Sequence, residues 1–484
     1  MTRINRTDAP APTRPGGSHT ARPVRLLPVV LVALVVPAAV LYGCGGSTAS
    51  SSAPDAATEA AATVLPEASA PASEAGVDAP PDGDGYVNKA PHCVRTDAGV
   101  ADPYDAGVIP DVISPAQVLN YGGTTLHHPT FVSVTFPDDE YKDQLADFIA
   151  SVGCTDYWST ITADYGVGEG VAAEPVVLTE AAPTTTDDAT IRAWVAAKVE
   201  AGTFPRPDPD IVYALWYPET TTITLETGDA GQTAVSCQAF GGYHEGGKLS
   251  DGTPFSYAVL PRCQTQGGSV VDGLTGVASH ELIEACTDPQ PDTAPAYAAP
   301  DANHLGWILA DASEVGDLCE FGQSSIFQPT GFPWMVQRIY SNSAAWAGKD
   351  PCVPASGADY FYGVPAVPDV VMLDMLQTGT PIPTAVAHIA VGSSETFPVK
   401  LVGPADVTSM SVEADDIATF FGGTPTLTLQ LSASTGAPGD TLQLTITKNS
   451  ASPDDMGFGG AVTGFVVSAT VGTTQSGSIA LTSD

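Results

Sequence analysis

The stretch Ala278-Ser279-His280-Glu281-Leu282-Ile283-Glu284-Ala285-Cys286-Thr287-Asp288-Pro289 carries residue types and spacing suited to metal chemistry. His280 and Glu284 are four residues apart, so on a helix they share one face. Glu281 lies one residue round the barrel. In the related His-Glu-x-x-His motif two histidines hold zinc, and the intervening glutamate takes a proton from the water on the metal. Here the second ligand position is Glu284. Zinc accepts carboxylate oxygen, so a His/Glu pair can bind it, with a less specific signature than the parent motif. The competing reading is an amphipathic helix with a polar, solvated face.

A second acidic stretch follows, from Gly306 to Glu320. Asp311, Glu314, Asp317 and Glu320 recur every three positions. Metal-binding domains often draw a remaining ligand from downstream of the helix, and Glu314 and Asp317 are the candidates. The plainer alternative is a polar turn after an apolar segment. His244 and His304 are lone histidines, each a candidate for an extra ligand or an oxyanion donor, with a structural or solvent role as the plainer reading of both.

The elements that must position these residues are visible in the pattern. Val271, Leu274, Ala278, Leu282 and Ala285 form an apolar stripe on a helix starting near Ser269. Asp288-Pro289 ends it, because proline disfavours helical geometry in the residue before it. Upstream, the spacing predicts strands at 131–136, 175–178, 210–217 and 256–260, and helices at 141–152 and 188–201. That order gives a layered α+β domain, a zincin-like mixed β-sheet with helices ahead of the metal helix. From about Val367 cysteine disappears and short alternating strands recur, at 387–391, 396–401, 409–414, 427–432, 441–447, 464–471 and 476–481. They predict an all-β immunoglobulin-like sandwich of about 110 residues.

The 484 residues suggest two or three domains. With 17 basic and 55 acidic residues the formal charge is −38, which argues against nucleic acid as a partner, since phosphate binding needs basic surface. Arg3, Arg6, Arg14, Arg22 and Arg25 precede an apolar run at 26–41 that ends in Leu41-Tyr42-Gly43-Cys44. A basic segment, a short apolar segment and a small residue before the cut make a secretory signal. Its ending resembles a bacterial lipobox, in which Cys44 is lipidated. The alternative is a transmembrane anchor, for which the run is short of the usual ~20 residues. The expected layout is a lipoprotein signal at 1–43, an Ala/Ser/Pro-rich disordered tether at 44–87, a metallo-hydrolase-like domain at 88–356 and the sandwich at 367–484. The expected location is the bacterial cell envelope, at the outer membrane or cell surface, held in the membrane by the lipid on Cys44.

Ser279-His280-Glu281-Leu282 with Glu284-Ala285 and Asp288-Pro289, followed by the segment from Glu314 to Glu320, resembles the Exordium (phosphate-induced protein) family. Those are secreted plant proteins linked to growth and brassinosteroid responses, with bacterial relatives. Gly241-Gly242-Tyr243-His244 after Cys237, Tyr157-Trp158-Ser159-Thr160, and Val336-Gln337 leading to Cys352 add to the likeness, which spans about residues 120–355. The resemblance implies that His280, Glu281, Glu284, Glu314 and Asp317 do more than solvate a surface. It implies no particular reaction.

Eight cysteines are present, and with Cys44 lipidated seven remain, so at least one is unpaired. Cys237 and Cys263 flank a Gly-rich segment, and Cys319 and Cys352 flank the end of the domain. Both pairs are predicted disulfides, the second worth ~3–4 kcal/mol in the chain-entropy picture. Cys93, Cys154 and Cys286 have no evident assignment.

Two functions follow as expectations. In the first, His280, Glu284 and one of Glu314 or Asp317 hold zinc with a position left for water, and Glu281 is the general base of a peptidase acting on a peptide or protein. In the second, the chain is a non-enzymatic binding or signalling lipoprotein. Glu284, Asp288, Glu314 and Asp317 then form a structural calcium site, to which His280 is poorly suited.

Overall fold

The computed structural model describes residues 86–484 other than 97–98, 106–113, 208–209, 228–231, 264–267, 311, 321–323, 358–359, 421–422 and 453–457. The signal segment, Cys44 and the tether up to residue 85 lie outside the described residues. The first of the described residues, Tyr86, is tied to the domain by its hydroxyl, which donates to Asp147 Oδ2 at 2.9 Å. Among the described residues no helix is long and apolar enough to cross a membrane. Strand predominates and helices are few.

The first domain is built on one sheet of β1 (Thr130–Thr135), β2 (Val171–Ala172), β3 (Val176–Val177), β4 (Ile211–Tyr217), β5 (Tyr243–Lys248) and β6 (Pro254–Pro261). Its order is β2-β1-β4-β6-β5, with β3 also paired to β1. All neighbours run parallel except β5, which lies antiparallel to β6 at the edge. The unbroken apolar run of β4 is the expected mark of a strand covered on both faces, and every one of its residues is buried. Val212, Ala214 and Trp216 face α1 (Lys142–Val152), α2 (Asp156–Thr162) and α4 (Val270–Thr287). Tyr213, Leu215 and Tyr217 face α3 (Asp188–Glu200) on the other side.

α4 starts where its sequence says. Ser269 caps it, and a capping box links the Ser269 hydroxyl to the Asp272 amide and the Asp272 carboxylate to the Ser269 amide. The predicted apolar stripe lies in the core. The other face is not solvated: every residue from Ala278 to Thr287 is buried. The sheet covers one side, and the acidic segment with the short strand Val336–Gln337 covers the other.

β5 and α2 carry no expectation from the sequence. Gly246 and Gly247 break the apolar alternation of β5, and Gly247 lies so close to Phe255 that an added Cβ would stand 2.3 Å from its ring.

The remaining chain makes two facing sheets. One has the order Tyr362–Pro365, Ser394–Val402, Thr441–Lys448, Leu427–Leu431, and the other Asp369–Leu373, Ile382–His388, Thr474–Ser483, Val462–Val471, Met410–Asp416, Thr435–Gly436. Phe397, Val399, Leu444 and Ile446 meet Val412, Phe465 and Val467 between them. The sandwich starts before residue 367, because Tyr362 already pairs with Val402. It packs on the first domain through Leu373, Val386 and Leu481 against Ala299 and Leu305, and Ala385 N donates to Ala302 O at 3.0 Å. It thereby braces the segment that leads into Glu314 and Asp317.

Cys237–Cys263 and Cys319–Cys352 are disulfides, and a third joins Cys93 to Cys154. Cys286 is the free, buried thiol among the described cysteines.

Candidate metal centre

The buried face of α4 projects His280, Glu281 and Glu284 toward three other elements. The chain end of α4 adds Asp288, whose amide still bonds Glu284 O at 2.6 Å. The turn from Ser313 into the short helix Asp317–Glu320 adds Glu314 and Asp317. β5 adds His244. Its register with β6 pairs His244 with Ala258, whose side chain lies on the α4 side of the sheet, so His244 points at α4. Its neighbour Glu245 points the other way and meets Arg192 of α3 at 2.9 Å.

Two three-residue groups result, each with its ligand atoms within 4.8 Å of one another: His280, Glu284 and Asp317, and His244, Glu281 and Glu284. His280 Nε2 lies 3.0 Å from Glu284 Oε2 and 3.3 Å from Asp317 Oδ1. His244 Nδ1 lies 3.6 Å from Glu284 Oε2 and 3.8 Å from Glu281 Oε2. All seven residues of the cluster on α4, its C-terminal end, β5 and the acidic turn are at most 7% exposed.

The carboxylates share a construction. One oxygen of Glu284 accepts from Gly316 N at 2.9 Å, one of Asp317 from Glu314 N at 2.9 Å, and one of Asp288 from Ala296 N at 2.9 Å. The other oxygen of each, with Glu281 Oε2 and Glu314 Oε2, is buried with no hydrogen-bond partner. Backbone amides thus fix the side chains while bare oxygens face inward, as ligating carboxylates require.

The imidazoles differ. His244 Nε2 lies 3.1 Å from Asp288 O. Donating there, it leaves the Nδ1 lone pair toward Glu281 and Glu284. Gln337 Nε2 donates to Gly316 O at 2.9 Å and lies 2.8 Å from His280 Nδ1. In that arrangement neutral His280 carries its proton on Nε2, between two carboxylates. Cation binding at Nε2 requires the proton on Nδ1 and the Gln337 amide turned to accept it.

Burial alone would lower the pKa of His280, but Glu284, Asp317 and Glu281 outweigh it and hold the pKa well above the ordinary value. His244 is likewise raised, against burial, by Glu314, Glu281 and Glu284. Burial works on Glu284 too, yet His280 and His244 bring it down to about 2. Burial raises Glu281, Asp317 and Glu314, and lifts Asp288 to about 7. Glu320 is also pushed up to about 7 by burial.

Of the residues singled out from sequence, His280, Glu281, Glu284 and Asp317 meet in these groups. Glu314 is in the cluster but outside both groups, with Oε2 3.6 Å from His244 Nε2. His304 is tied to Asp301 at 2.9 Å and enters neither group. Asp311 lies outside the described residues. His244 takes a central place that a lone histidine did not announce. Gln337 was visible only as part of a matching segment. A cleft of about 420 Å3 runs between this side of the domain and the sandwich, with Asp317, Arg338, Tyr340, Tyr362 and Ser476 among its walls.

No protein-family model matches the chain, and no curated protein matches it. Among solved structures, domains 4 and 5 of the S-layer protein SbsC are 15% identical and cover 27% of this chain and 80% of that one, at a TM-score of 0.15. A chimeric titin Z1Z2 is 16% identical, covers 26% and 94%, and has a TM-score of 0.14. Likeness at this level identifies neither a fold nor a function.

Proposed function

We propose that the first domain is a metal-dependent hydrolase of the peptidase type, zincin-like in layout, on a secreted lipoprotein that also carries an immunoglobulin-like sandwich. The observation that carries the reading is the convergence of bare, buried carboxylate oxygens and imidazole nitrogens whose opposite atoms are tied to backbone. His280, Glu284 and Asp317 would hold zinc, and the donor spacings of 3.0 and 3.3 Å match the ~3.3 Å edges of a tetrahedral zinc site. Zinc supplies Lewis acidity. Glu281, with its pKa raised by burial, accepts the proton of the attacking water and returns it to the leaving amine. The cleft beside Asp317 offers aromatic walls and Arg338 to an extended peptide. The Leu41-Tyr42-Gly43-Cys44 ending supports anchorage through a lipid on Cys44.

The experiment pairs metal analysis with a peptide-substrate screen on the mature protein, wild type beside Glu281→Gln. The expected result is activity lost in the variant with the cation at His280 retained. Full activity in Glu281→Gln, or a wild type without metal, overturns the reading.

A second reading, a structural calcium site in a binding lipoprotein, is favoured by the excess of carboxylates over imidazoles in so closed a site. Calcium in place of zinc in the same metal analysis would select it.

A further inference from the structure

We infer that the cluster holds two divalent cations rather than one, with Glu284 bridging them. One sits among His280, Glu284 and Asp317, the other among His244, Glu281 and Glu284. This rests on the metal reading above and extends it, moving Glu281 from general base of a one-ion site to ligand of the second cation.

Four observations carry the second cation. The two groups are complete in themselves, each offering one imidazole nitrogen and two carboxylate oxygens. They share Glu284, whose Oε1 is held by Gly316 N while Oε2 lies 3.0 Å from His280 Nε2 and 3.6 Å from His244 Nδ1. A single carboxylate oxygen flanked by two imidazoles in this way is placed to bridge. Next, His244 is the histidine already set as a ligand, because its bond to the Asp288 carbonyl leaves Nδ1 bare toward Glu281 and Glu284. A single cation at His280 would leave that prepared nitrogen and Glu281 Oε2 without a partner, each in a side chain more than nine-tenths buried.

With all five carboxylates of the cluster ionised, the charge count favours two ions over one. Glu281, Glu284, Asp288, Glu314 and Asp317 are all buried, and among the described residues only histidines lie within ion-pair distance of them. Unpaired buried charge is costly. One divalent ion leaves most of the negative charge uncompensated, and two nearly balance it. Two-metal hydrolases use the same arrangement, with ions about 3.5–4 Å apart across shared carboxylates.

The test is metal stoichiometry of the mature full chain, loaded with zinc or manganese, dialysed and read by elemental analysis. Two ions per chain are expected in the wild type, and one in His244→Ala and in Glu281→Gln. One ion in the wild type overturns the two-cation inference and leaves the metal reading standing. No bound ion overturns both. Because a variant in so buried a site can misfold, a second measurement uses the wild type alone. Manganese at two equivalents should give the electron paramagnetic resonance spectrum of an exchange-coupled pair, and two isolated-ion signals would overturn the bridge.

Discussion

His280 Nε2 and Glu284 Oε2 stand 3.0 Å apart, one helical turn from each other, yet Glu284 Oε2 has no hydrogen-bond partner. The two atoms approach without the alignment of a hydrogen bond, as ligands of a common ion do. In the metal-free protein the same pair is the electrostatic anchor of the cluster, since His280 and His244 are what hold Glu284 down to about 2 against burial. His280→Ala is therefore expected to act twice. It removes binding at its own triad, and it destabilises the metal-free protein by about 3–5 kcal/mol, the cost of leaving a buried charge unpaired. Zinc titration and denaturant unfolding in a chelator measure the two effects separately.

Gln337 partners the Nδ1 side of the His280 ring. Its amide nitrogen faces His280 Nδ1 at 2.8 Å, whereas a metal-ligating histidine donates from its second nitrogen to an oxygen. Gln337→Glu supplies that oxygen permanently and is expected to tighten binding at the His280 triad. Gln337→Ala removes it and is expected to weaken affinity by about 10–100-fold. Equal affinities in all three proteins would show that Gln337 does not orient the imidazole.

The pH dependence of stability follows from groups whose folded pKa lies above its unfolded value. Burial lifts Asp288 to about 7, and burial with Asp292 lifts Glu245 to about 8 against Arg192. Between the ordinary carboxyl range and those values the folded state binds more protons than the unfolded chain, so stability falls as pH rises through that window. Glu284 has the opposite sign, and its contribution is lost only as pH falls from the ordinary carboxyl range to about 2. In a chelator the melting temperature should therefore decline from about pH 5 to pH 8, with these limits set by the linkage. Zinc, which replaces protons on the cluster, should flatten the slope. A chelated protein most stable at pH 8 would contradict the assignment.

How far the sequence reaches can be judged from β5. α4 was legible at both ends, near Ser269 and at Asp288-Pro289, because the apolar stripe and the proline stop are local signals. The central strand β4 was legible from its unbroken apolar run. Glu314 and Asp317 were singled out as a pair, though only Asp317 joins one of the two groups with the spacing to hold a metal ion. His244 was not, because its role depends on non-local register. His244 pairs with Ala258 and so faces α4. A slip of one residue would send it toward α3 and put Glu245 or Tyr243 in its place. The glycines of β5 weaken the alternation that would have announced the strand at all. Seven sandwich strands overlap stretches found from alternation, although Ile382–His388 starts well before the expected 387, whereas Asp369–Leu373 and Thr435–Gly436 were missed, as was Tyr362–Pro365, which Pro365 and the single glycine Gly363 disguise.

Gly316 tests whether the acidic turn must press directly on α4. A Cβ at this position would stand 2.7 Å from Glu284 Oε1 and 2.8 Å from His280 Nδ1. Neither atom is the free end of a surface side chain. Glu284 Oε1 is the oxygen held by the Gly316 amide itself, at 2.9 Å. His280 is buried against Gln337. A methyl group there must push the carboxylate off its amide anchor or turn the imidazole. Gly316→Ala is thus expected to cost about 1–3 kcal/mol of stability, as overpacking does, and to weaken metal binding at the His280 triad, while Gly348→Ala supplies a control at a position with open space but left-handed backbone. If Gly316→Ala binds zinc as tightly as the wild type, the turn is not what holds Glu284 in place, and the close approach of the two segments has no part in building the site.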